Sequence, residues 1–497
     1  MNWNIIIPFV VYIAVNLLIG IYGQRVLART KAENFVGEYY AGGRSLGALL
    51  LAFTLTTSLV SAGTFIGAPA LGYQDGFVWL VIASGQVAGG FLVLGILGKK
   101  FAIVARKVDA YTVPKVLSAR FPHPLVGGGS ALIMVVFMTF YMSAQFIGGS
   151  LIFEAMGGVP YRVGLVLMVF TTVIYTGIGG FRAVVLTDTF QGIVMVFGVG
   201  ALLIAILYHA GGMSDLVRQI GEIEPALLTP NGGGKYSWGM IITMGWVLLG
   251  ISLLGMPHAA VRGLSFRDSQ AMHRAMILVP VLMFIFTFVM MFAGVAANVV
   301  VGSKIEAVDT VIPRTVVALF HPFMAGIILA APFAAIMSTV SSMLLVSANG
   351  LVGDVWVSAL GKELSFTARA RLDRLATVGL GIIVFVMALS PPPFLQAIVF
   401  YSVGGLASCF LVPLVFGLYW QRANTWGALA SIVVGTGGYI VLATYFPNLL
   451  GLHDVTWSLL LSTAAMVGVS LLTGKPSRDV IEAFWGNGSA AGSDPLP

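Results

Sequence analysis

The chain is poor in charge and nearly free of cysteine. Only 9% of its 497 residues are charged, whereas a soluble chain usually carries about a quarter. The single cysteine, Cys409, lies in an apolar run, so we expect it to pack there and predict neither a disulfide framework nor a cysteine-based metal cluster. Metalloprotease, redox-cysteine, dinucleotide-binding and P-loop motifs are also absent from the sequence, which argues against an enzyme and against an ATP-driven pump.

Long apolar runs dominate what is present. Hydrophobic residues make up 58% of the chain, and runs of about 20 residues recur from end to end, which predicts an all-α polytopic membrane protein. We count about thirteen candidate spans. Residues 1–4 lack the basic start of a cleavable signal peptide, so the first run is predicted to be a retained span. The net charge of +7 does not indicate nucleic acid, because the basic residues lie at span ends rather than on one face.

Lys and Arg residues are unevenly divided between alternate loops. One set of loops carries most of them, from Arg25 to Arg478, and the other set holds only Arg162, Arg218, Lys235, Lys304 and Arg314. Because cytoplasmic loops are rich in Lys and Arg, this division predicts a cytoplasmic carboxyl terminus. An odd number of spans then places the amino terminus outside the cell.

The spans group into a core and its surroundings. We predict a five-plus-five inverted-repeat core, made of spans two to six and seven to eleven, with broken helices at spans two and seven. The predicted segments are the first span with a cytoplasmic loop (1–46), repeat one (47–208), an external loop (209–237), repeat two (238–418), two peripheral spans (419–474) and a disordered cytoplasmic tail (475–497).

Small and hydroxyl-bearing residues interrupt two of the spans. They crowd the stretch from Thr54 to Thr64 in the second span, and they recur from Gly250 to Pro257 in the seventh. Such residues allow a helix to unwind at mid-membrane, where protein, water or a bound ion must satisfy the freed carbonyl groups. Taken alone, the second span could equally be a close-packing face. Two breaks five spans apart favour an inverted repeat with its binding site at the breaks.

A further polar segment lies in span nine. Ser338 and Thr339 are adjacent hydroxyl residues, with Ala335 one turn earlier. A hard cation such as Na⁺ prefers oxygen ligands, so two hydroxyls and the carbonyls of a facing unwound helix could form its shell without a carboxylate. Alternatively, each hydroxyl could merely donate to the carbonyl four residues before it.

Four motifs together resemble one family of transporters. They are the runs Ala335–Thr339, Gly179–Gln191, Gly255–Arg262 and Phe65–Gly67. These segments are similar to those of the solute:sodium symporter family, and the resemblance covers about residues 5–470. Within that family, residues 95–103, 145–149 and 179–183 are most similar to the branch that carries pantothenate with sodium.

The resemblance implies a sodium-coupled symporter of the inner membrane that imports a small organic solute by alternating access. Pantothenate or a similar carboxylate is the expected solute. The resemblance also implies a sodium site made of the carbonyl groups of Thr57, Val60 and Ala335 with the hydroxyls of Ser338 and Thr339. Na⁺ would be the coupling ion, and no cofactor is implied.

Asp188 is the one carboxylate that we place well inside a span. A charge there is costly and indicates function by default. It lies near the amino end of the sixth span, however, where the helix dipole favours an anion. We leave open whether Asp188 attracts or relays the cation from the inner side or stabilises the helix start, and Arg182 is near enough to be its partner.

Polar and small residues near the breaks are candidates for solute contacts. They are Ser61, Thr64, Gln86, Gln145, Gly255, Pro257, His258, Tyr401 and Ser402. Either glutamine could instead bond a neighbouring helix, and the histidine could be a packing residue. Proline or a monocarboxylate is the nearest alternative solute, whereas Leu59 and Thr64 at the break disfavour a sugar. A membrane sensor or a passive channel is the alternative class, and the short tail after Lys475 argues against a sensor.

Overall fold

The structure is a computed structural model that describes residues 3–27, 45–155, 158–392 and 394–486. Within these ranges the chain is helical apart from its loops and one β-bridge between Leu46 and Phe266. The long apolar runs account for this, because a chain in the bilayer must satisfy its backbone groups within helices. The predicted all-α membrane architecture is confirmed.

The helices are numbered in chain order. Those of the first half are α1 (Trp3–Leu27), α2 (Ala48–Leu59), α3 (Gly63–Asp75), α4 (Val78–Lys107), α5 (Val113–Arg120), α6 (Leu125–Ala155), α7 (Tyr161–Gly177), α8 (Gly180–Ala210) and α9 (Met213–Ile223). Those of the second half are α10 (Trp238–Gly255), α11 (Pro257–Arg262), α12 (Ser269–Val301), α13 (Val311–Leu319), α14 (Pro322–Ala359), α15 (Phe366–Ala388), α16 (Leu395–Tyr419), α17 (Thr425–Tyr445), α18 (Asp454–Leu472) and α19 (Arg478–Trp485).

The number of spans differs from the sequence-based count. In the described part of the chain, 10 helices are long and apolar enough to cross a membrane, or 11 if the bent pair α2–α3 is one span. The count of about thirteen is therefore not confirmed. The two further predicted spans correspond to α7, which is shorter, and α15, whose first half carries several charged residues.

Both predicted breaks are present. Helices α2 and α3 are bent by 64°, and Val60 between them has an extended backbone with φ −94° and ψ 122°. In the seventh span the helix tightens into 3₁₀ turns at Ile251–Gly255, and Met256 is extended before Pro257 begins α11. Proline at a helix start leaves no N–H unpaired, so this second break costs little.

Helix α14 lies at the centre of the molecule. In its apolar window 83% of the residues are buried inside the protein, the largest share among the described spans. It packs against α1, α2, α6, α7 and α8. Its hydroxyl groups therefore face protein rather than lipid, and they need protein or ligand partners.

The predicted external loop is partly helical and is fixed to the carboxyl end of the broken second span. The Phe77 N–H donates to the Leu227 carbonyl at 2.7 Å. Gly76, directly before Phe77, has φ +79°. A Cβ there would lie 2.1 Å from the Leu227 carbonyl oxygen, so only glycine fits. Asp75 pairs with Lys235 and accepts hydrogen bonds from the Tyr236 hydroxyl at 2.6 Å and the Trp79 indole at 3.2 Å.

Part of the predicted disordered tail is ordered. Helix α19 buries Phe484, and Lys100 Nζ donates to the Phe484 carbonyl at 3.2 Å. The Arg120 guanidinium lies 5.1 Å from the centre of the Trp485 ring, and burial lowers the pKa of Arg120 to about 10. The prediction of disorder is wrong for α19, because its aromatic face finds a cationic partner. The tail beyond residue 486 and the basic residues at 29, 31 and 44 lie outside the described residues.

Candidate ion and solute site

The break in the second span faces the hydroxyl pair on α14. Ser338 Oγ donates to the carbonyl oxygens of Thr57 at 2.9 Å and Ala335 at 3.0 Å. Thr339 Oγ1 donates to those of Val60 at 3.0 Å and Ala335 at 2.9 Å. All of these residues are fully buried. The hydroxyls thus bond back along their own helix and also reach the facing break, so the five predicted oxygen atoms meet at one place.

This set of oxygens suits a small, hard, monovalent cation. Three carbonyls and two hydroxyls are neutral, and each hydroxyl oxygen keeps lone pairs that a cation could share. The described residues contain no group of three or more His, Cys, Asp or Glu that could hold a metal ion. A cation here would therefore be held by neutral oxygens, which offer a divalent ion little compensation for its lost water.

Side chains around the break keep its carbonyl groups available. The Ala62 N–H donates to Gln145 Oε1 at 2.7 Å, and the Gly63 N–H donates to Ser61 Oγ at 3.0 Å. The Thr64 N–H donates to the Ser61 carbonyl at 2.9 Å rather than to Val60, four residues before it. The alternative for Gln145, a bond to a neighbouring helix, is what the structure shows.

Asp188 forms a buried ion pair close to the hydroxyl pair. Its Oδ2 lies 3.5 Å from Arg262 Nη2 and accepts a hydrogen bond from Thr54 Oγ1 at 2.6 Å. Arg262 also donates to Ser342 Oγ, and the Ser342 hydroxyl donates to the Ser338 carbonyl at 2.8 Å. This network connects α8, α11 and α14, and it ends on a residue of the candidate ion site.

The partner of Asp188 corrects a prediction. From the sequence, Arg182 was named as near enough to be the partner, whereas the cation beside the carboxylate is Arg262, whose guanidinium also lies 5.0 Å from the centre of the Phe181 ring. Arg262 follows the break in the seventh span and is fully buried. Asp188 lies more than two turns into α8, so the dipole at the helix start, which acts within the first turn, does not account for it.

A small cavity lies between the break and α16. Its polar wall consists of Ser61, Thr64, Gln86, Tyr141 and Gln396. Its apolar wall consists of Leu59, Gly63, Ala68, Trp79, Leu249, Leu253, Met291, Val399, Phe400 and Val403, and none of the described lining residues is charged. The Trp79 and Phe400 rings stack with centroids 6.0 Å apart. Val60 belongs to the candidate ion site and Ser61 lines the cavity, so the two lie on one stretch of backbone.

The structure brings some of the predicted solute residues to this cavity and leaves others elsewhere. Ser61, Thr64 and Gln86 line it, and Gln86 Nε2 donates to Thr64 Oγ1 at 3.4 Å. His258 lies behind the wall, with its ring edge-on to Tyr141 and the centroids 6.3 Å apart.

Four predicted solute residues do not reach the cavity. Gly255 packs closely on α16, Pro257 begins α11, Tyr401 packs among aromatic rings, and Ser402 Oγ donates to the Ile398 carbonyl at 2.7 Å. The cavity face of α16 carries residues 396, 399, 400 and 403. Helical spacing places residues 401 and 402 on other faces.

Three of the residues at the cavity were missed by the sequence analysis: Gln396, Tyr141 and Trp79. The positions 396, 399, 400 and 403 have the i, i+3, i+4, i+7 spacing of one helix face. That spacing, together with the lone amide at Gln396, was the available signal. No local pattern pointed to Tyr141 or Trp79.

Comparisons with known proteins agree with this geometry. Residues 39–435 match the Sodium:solute symporter family. The chain is 39% identical over 483 residues to the sodium/pantothenate symporter of Escherichia coli, covering 97% of this chain and 99% of that one. It is 36% identical over 471 residues to the sodium/pantothenate symporter of Haemophilus influenzae, covering 94% and 96%. A solved structure of a Na⁺-coupled sialic acid symporter, substrate-bound and outward-open, shares the fold with a TM-score of 0.80 at 20% identity, covering 96% and 99%.

The chain therefore belongs to the sodium:solute symporter family. It is a multi-pass protein of the bacterial inner membrane, a transporter rather than an enzyme, and it couples the movement of a small organic solute to Na⁺. The Escherichia coli and Haemophilus influenzae relatives are both sodium/pantothenate symporters.

Proposed function

We propose that this protein imports pantothenate together with Na⁺. The name shared by the two bacterial relatives supports the solute. The convergence of five neutral, buried oxygen atoms between the second-span break and α14 carries the proposal for the ion. Pantothenate has a carboxylate, an amide and hydroxyl groups, which suits a cavity with both a polar and an apolar wall.

In this proposal Na⁺ binds to the carbonyls of Thr57, Val60 and Ala335 and to the hydroxyls of Ser338 and Thr339. The bound ion then supplies the positive charge that the cavity lining lacks. An anionic solute placed beside it would be stabilised, whereas the same anion in the uncharged cavity without Na⁺ would be poorly solvated. Binding of the ion before the solute follows from this electrostatic argument.

The break joins the two binding events. Na⁺ held at Val60 would fix the backbone that presents Ser61 to the solute, so the loaded and unloaded states differ in stability as alternating access requires. Each Na⁺ adds about 2.3 kcal/mol per 100 mV of membrane potential to its concentration gradient. One Na⁺ moved with one carboxylate carries no net charge, so voltage would drive transport only if a second cation accompanies them.

We assign Asp188 to the inner part of the ion pathway. It is the buried carboxylate joined, through Arg262 and Ser342, to a residue of the ion site. A negative charge there would attract Na⁺ leaving toward the cytoplasm. This direction assumes an external amino terminus and a cytoplasmic carboxyl terminus, which the distribution of Lys and Arg supports.

The test is uptake of radiolabelled pantothenate into proteoliposomes that contain the purified protein, with and without an inward Na⁺ gradient. The Ser338→Ala/Thr339→Ala variant removes both hydroxyls of the proposed site. We expect Na⁺-driven accumulation by the wild type, and an increase of at least tenfold in the Na⁺ concentration needed by the variant, because charge-assisted contacts are worth about 1.5–3 kcal/mol each.

A matched control removes two hydroxyls that only bond along their own helix. Thr139 and Thr463 each donate to the carbonyl four residues before them, at 2.7 Å, so the Thr139→Ala/Thr463→Ala variant should keep the Na⁺ dependence of the wild type. Pantothenate flux that equilibrates without Na⁺ would contradict symport. Na⁺-driven uptake of another solute, with no pantothenate flux, would keep the mechanism and reject the solute.

A further inference from the structure

The side chain of Gln396 occupies a position that its own contacts do not explain. It is the second residue of α16 and is only 3% exposed. Its amide lies against the second-span break, where a Cβ at Gly67 would be 2.3 Å and one at Gly63 would be 3.1 Å from Gln396 Oε1. The two glycines therefore make the space into which this amide reaches.

The amide oxygen of Gln396 is a buried acceptor without a hydrogen-bond donor among the described residues. The other polar side chains of the cavity wall pair with one another, since Ser61 Oγ and the Tyr141 hydroxyl lie 3.2 Å apart and Gln86 donates to Thr64. A buried acceptor left unpaired costs about 1–3 kcal/mol. Such a group needs a partner from outside the protein, and on a cavity wall a bound solute can supply the missing donor.

We propose that Gln396 Oε1 accepts a hydrogen bond from an N–H or O–H group of the transported solute. The solute class is then a carboxylate that also carries an amide or hydroxyl donor, and Gln396 is the residue that distinguishes it from a plain aliphatic carboxylate. This inference rests on the proposed function and deepens it. Pantothenate meets the requirement through its amide N–H and its two hydroxyls.

The chemistry of the rest of the cavity agrees with this division of roles. The cavity wall also holds donors that can face a carboxylate, namely the hydroxyls of Ser61 and Thr64 and the amide of Gln86. Gln396 presents an acceptor, which repels a carboxylate and attracts a donor. A site that must pair a polar group discriminates strongly against an analogue lacking it, because the analogue leaves the buried atom unpaired.

The experiment compares wild type with Gln396→Met, which keeps an unbranched side chain of similar length without the acceptor. Labelled pantothenate uptake is measured in proteoliposomes under a Na⁺ gradient, with unlabelled pantothenate or heptanoate as competitor. Heptanoate is a carboxylate of comparable length with no N–H or O–H donor. We expect the KM for pantothenate to rise about tenfold, the preference for pantothenate over heptanoate to fall about tenfold, and the Na⁺ concentration for half-maximal rate to change less than about twofold.

Two further variants separate recognition from folding. Gln219→Met makes the same change on α9, where the amide donates to the Ala210 carbonyl, and should leave both KM and preference unchanged. Gln396→Glu keeps the size of the side chain but adds a negative charge. Its KM for anionic pantothenate should therefore rise more than that of Gln396→Met. An unchanged preference in Gln396→Met, with normal wild-type uptake, would overturn this inference alone. Absence of pantothenate uptake by the wild type would overturn the proposed function and this inference with it.

Discussion

Asp188 and Arg262 place two opposite charges where neither has water. Both side chains are fully buried, and their nearest charged atoms lie 3.5 Å apart. Removing one partner of such a pair leaves an uncompensated charge and typically costs about 3–5 kcal/mol, whereas removing both can be nearly neutral. The pair thus allows its contribution to stability to be separated from its contribution to transport.

We expect Arg262→Met to lower thermal stability strongly, and Asp188→Asn/Arg262→Met to recover most of the loss. The midpoint of thermal unfolding in detergent measures both effects. If Asp188 serves the ion pathway, the stable double variant still transports poorly in the Na⁺-driven uptake assay. A loss of unfolding midpoint in the double variant as large as the sum of the two single losses would contradict coupling between the two charges. Full transport by the double variant would contradict a role for Asp188 in the ion pathway.

At the scale of single residues, the sequence indicated residues that are unusual within their own segment. Ser338 and Thr339 stand out because two adjacent hydroxyls in an apolar helix are unusual, whereas Thr57 and Val60 were expected only from the family resemblance and its match at Phe65–Gly67. Arg262 and Gln396 were missed. Their significance comes from contacts with distant parts of the chain, and a pattern within one segment does not contain that information.

The start of α16 depends on a carboxylate from another element. The Leu395 N–H donates to Asp309 Oδ2 at 3.0 Å, which satisfies one of the backbone donors that every helix leaves free at its amino end. Asp309 lies in the short turn Val308–Thr310, outside the crossing helices, and it is only 8% exposed. It therefore helps to hold the turn of α16 that carries Gln396.

The stability of the protein should respond to pH through Asp309. Burial raises the pKa of Asp309, and the Leu395 N–H partly opposes this. Because the folded pKa lies above the unfolded one, ionisation costs stability, so stability should rise as the pH falls through the raised pKa toward the ordinary carboxyl range. Asp309→Asn keeps an acceptor without the charge.

Thermal unfolding of both proteins between about pH 7 and pH 4 provides the measurement, since the unperturbed carboxyl pKa is about 3.9. At neutral pH the variant should be at least as stable as the wild type, and this advantage should shrink as the pH falls. An advantage that grows on acidification would contradict a raised pKa for Asp309.

At the scale of helices, the breaks were predictable because glycine, proline and hydroxyl residues interrupt otherwise uniform apolar runs. The weakest predictions concerned segments whose structure depends on contacts with other parts of the chain. Helix α19 looked disordered by composition, yet its aromatic residues pack on Arg120 and Lys100. The predicted tenth span covers only the second half of α15, because the helix begins earlier, in a stretch with several charged residues.

Across the whole molecule, the loop at residues 225–237 is connected to the cavity through the carboxyl end of the second span. Lys235 forms an ion pair with Asp75, and the Tyr236 hydroxyl and the Trp79 indole both donate to Asp75. The Trp79 ring in turn stacks on Phe400 in the cavity wall. Release of this loop and loosening of the aromatic wall should therefore be coupled.

Lys235→Glu sets a second carboxylate against Asp75 and should raise the KM for the solute several-fold, because like charges in contact are destabilising. The Na⁺ dependence should change little, and initial rates of uptake measure both quantities. Arg218→Glu is the control in the same segment between α8 and α10, since its pairs with Asp215 and Glu222 are exposed and contribute little. Equal changes in KM from both variants would contradict a specific role for the Asp75 contact.

The five oxygen atoms of the candidate ion site belong to peptide groups and alcohols, and none of them takes up a proton at physiological pH. A site of this kind has nowhere to keep a proton in place of Na⁺. The consequence reaches the energy supply of the cell. Uptake would continue after an uncoupler has abolished the proton gradient, for as long as other pumps keep sodium out, and a bacterium in alkaline surroundings could still collect a scarce nutrient.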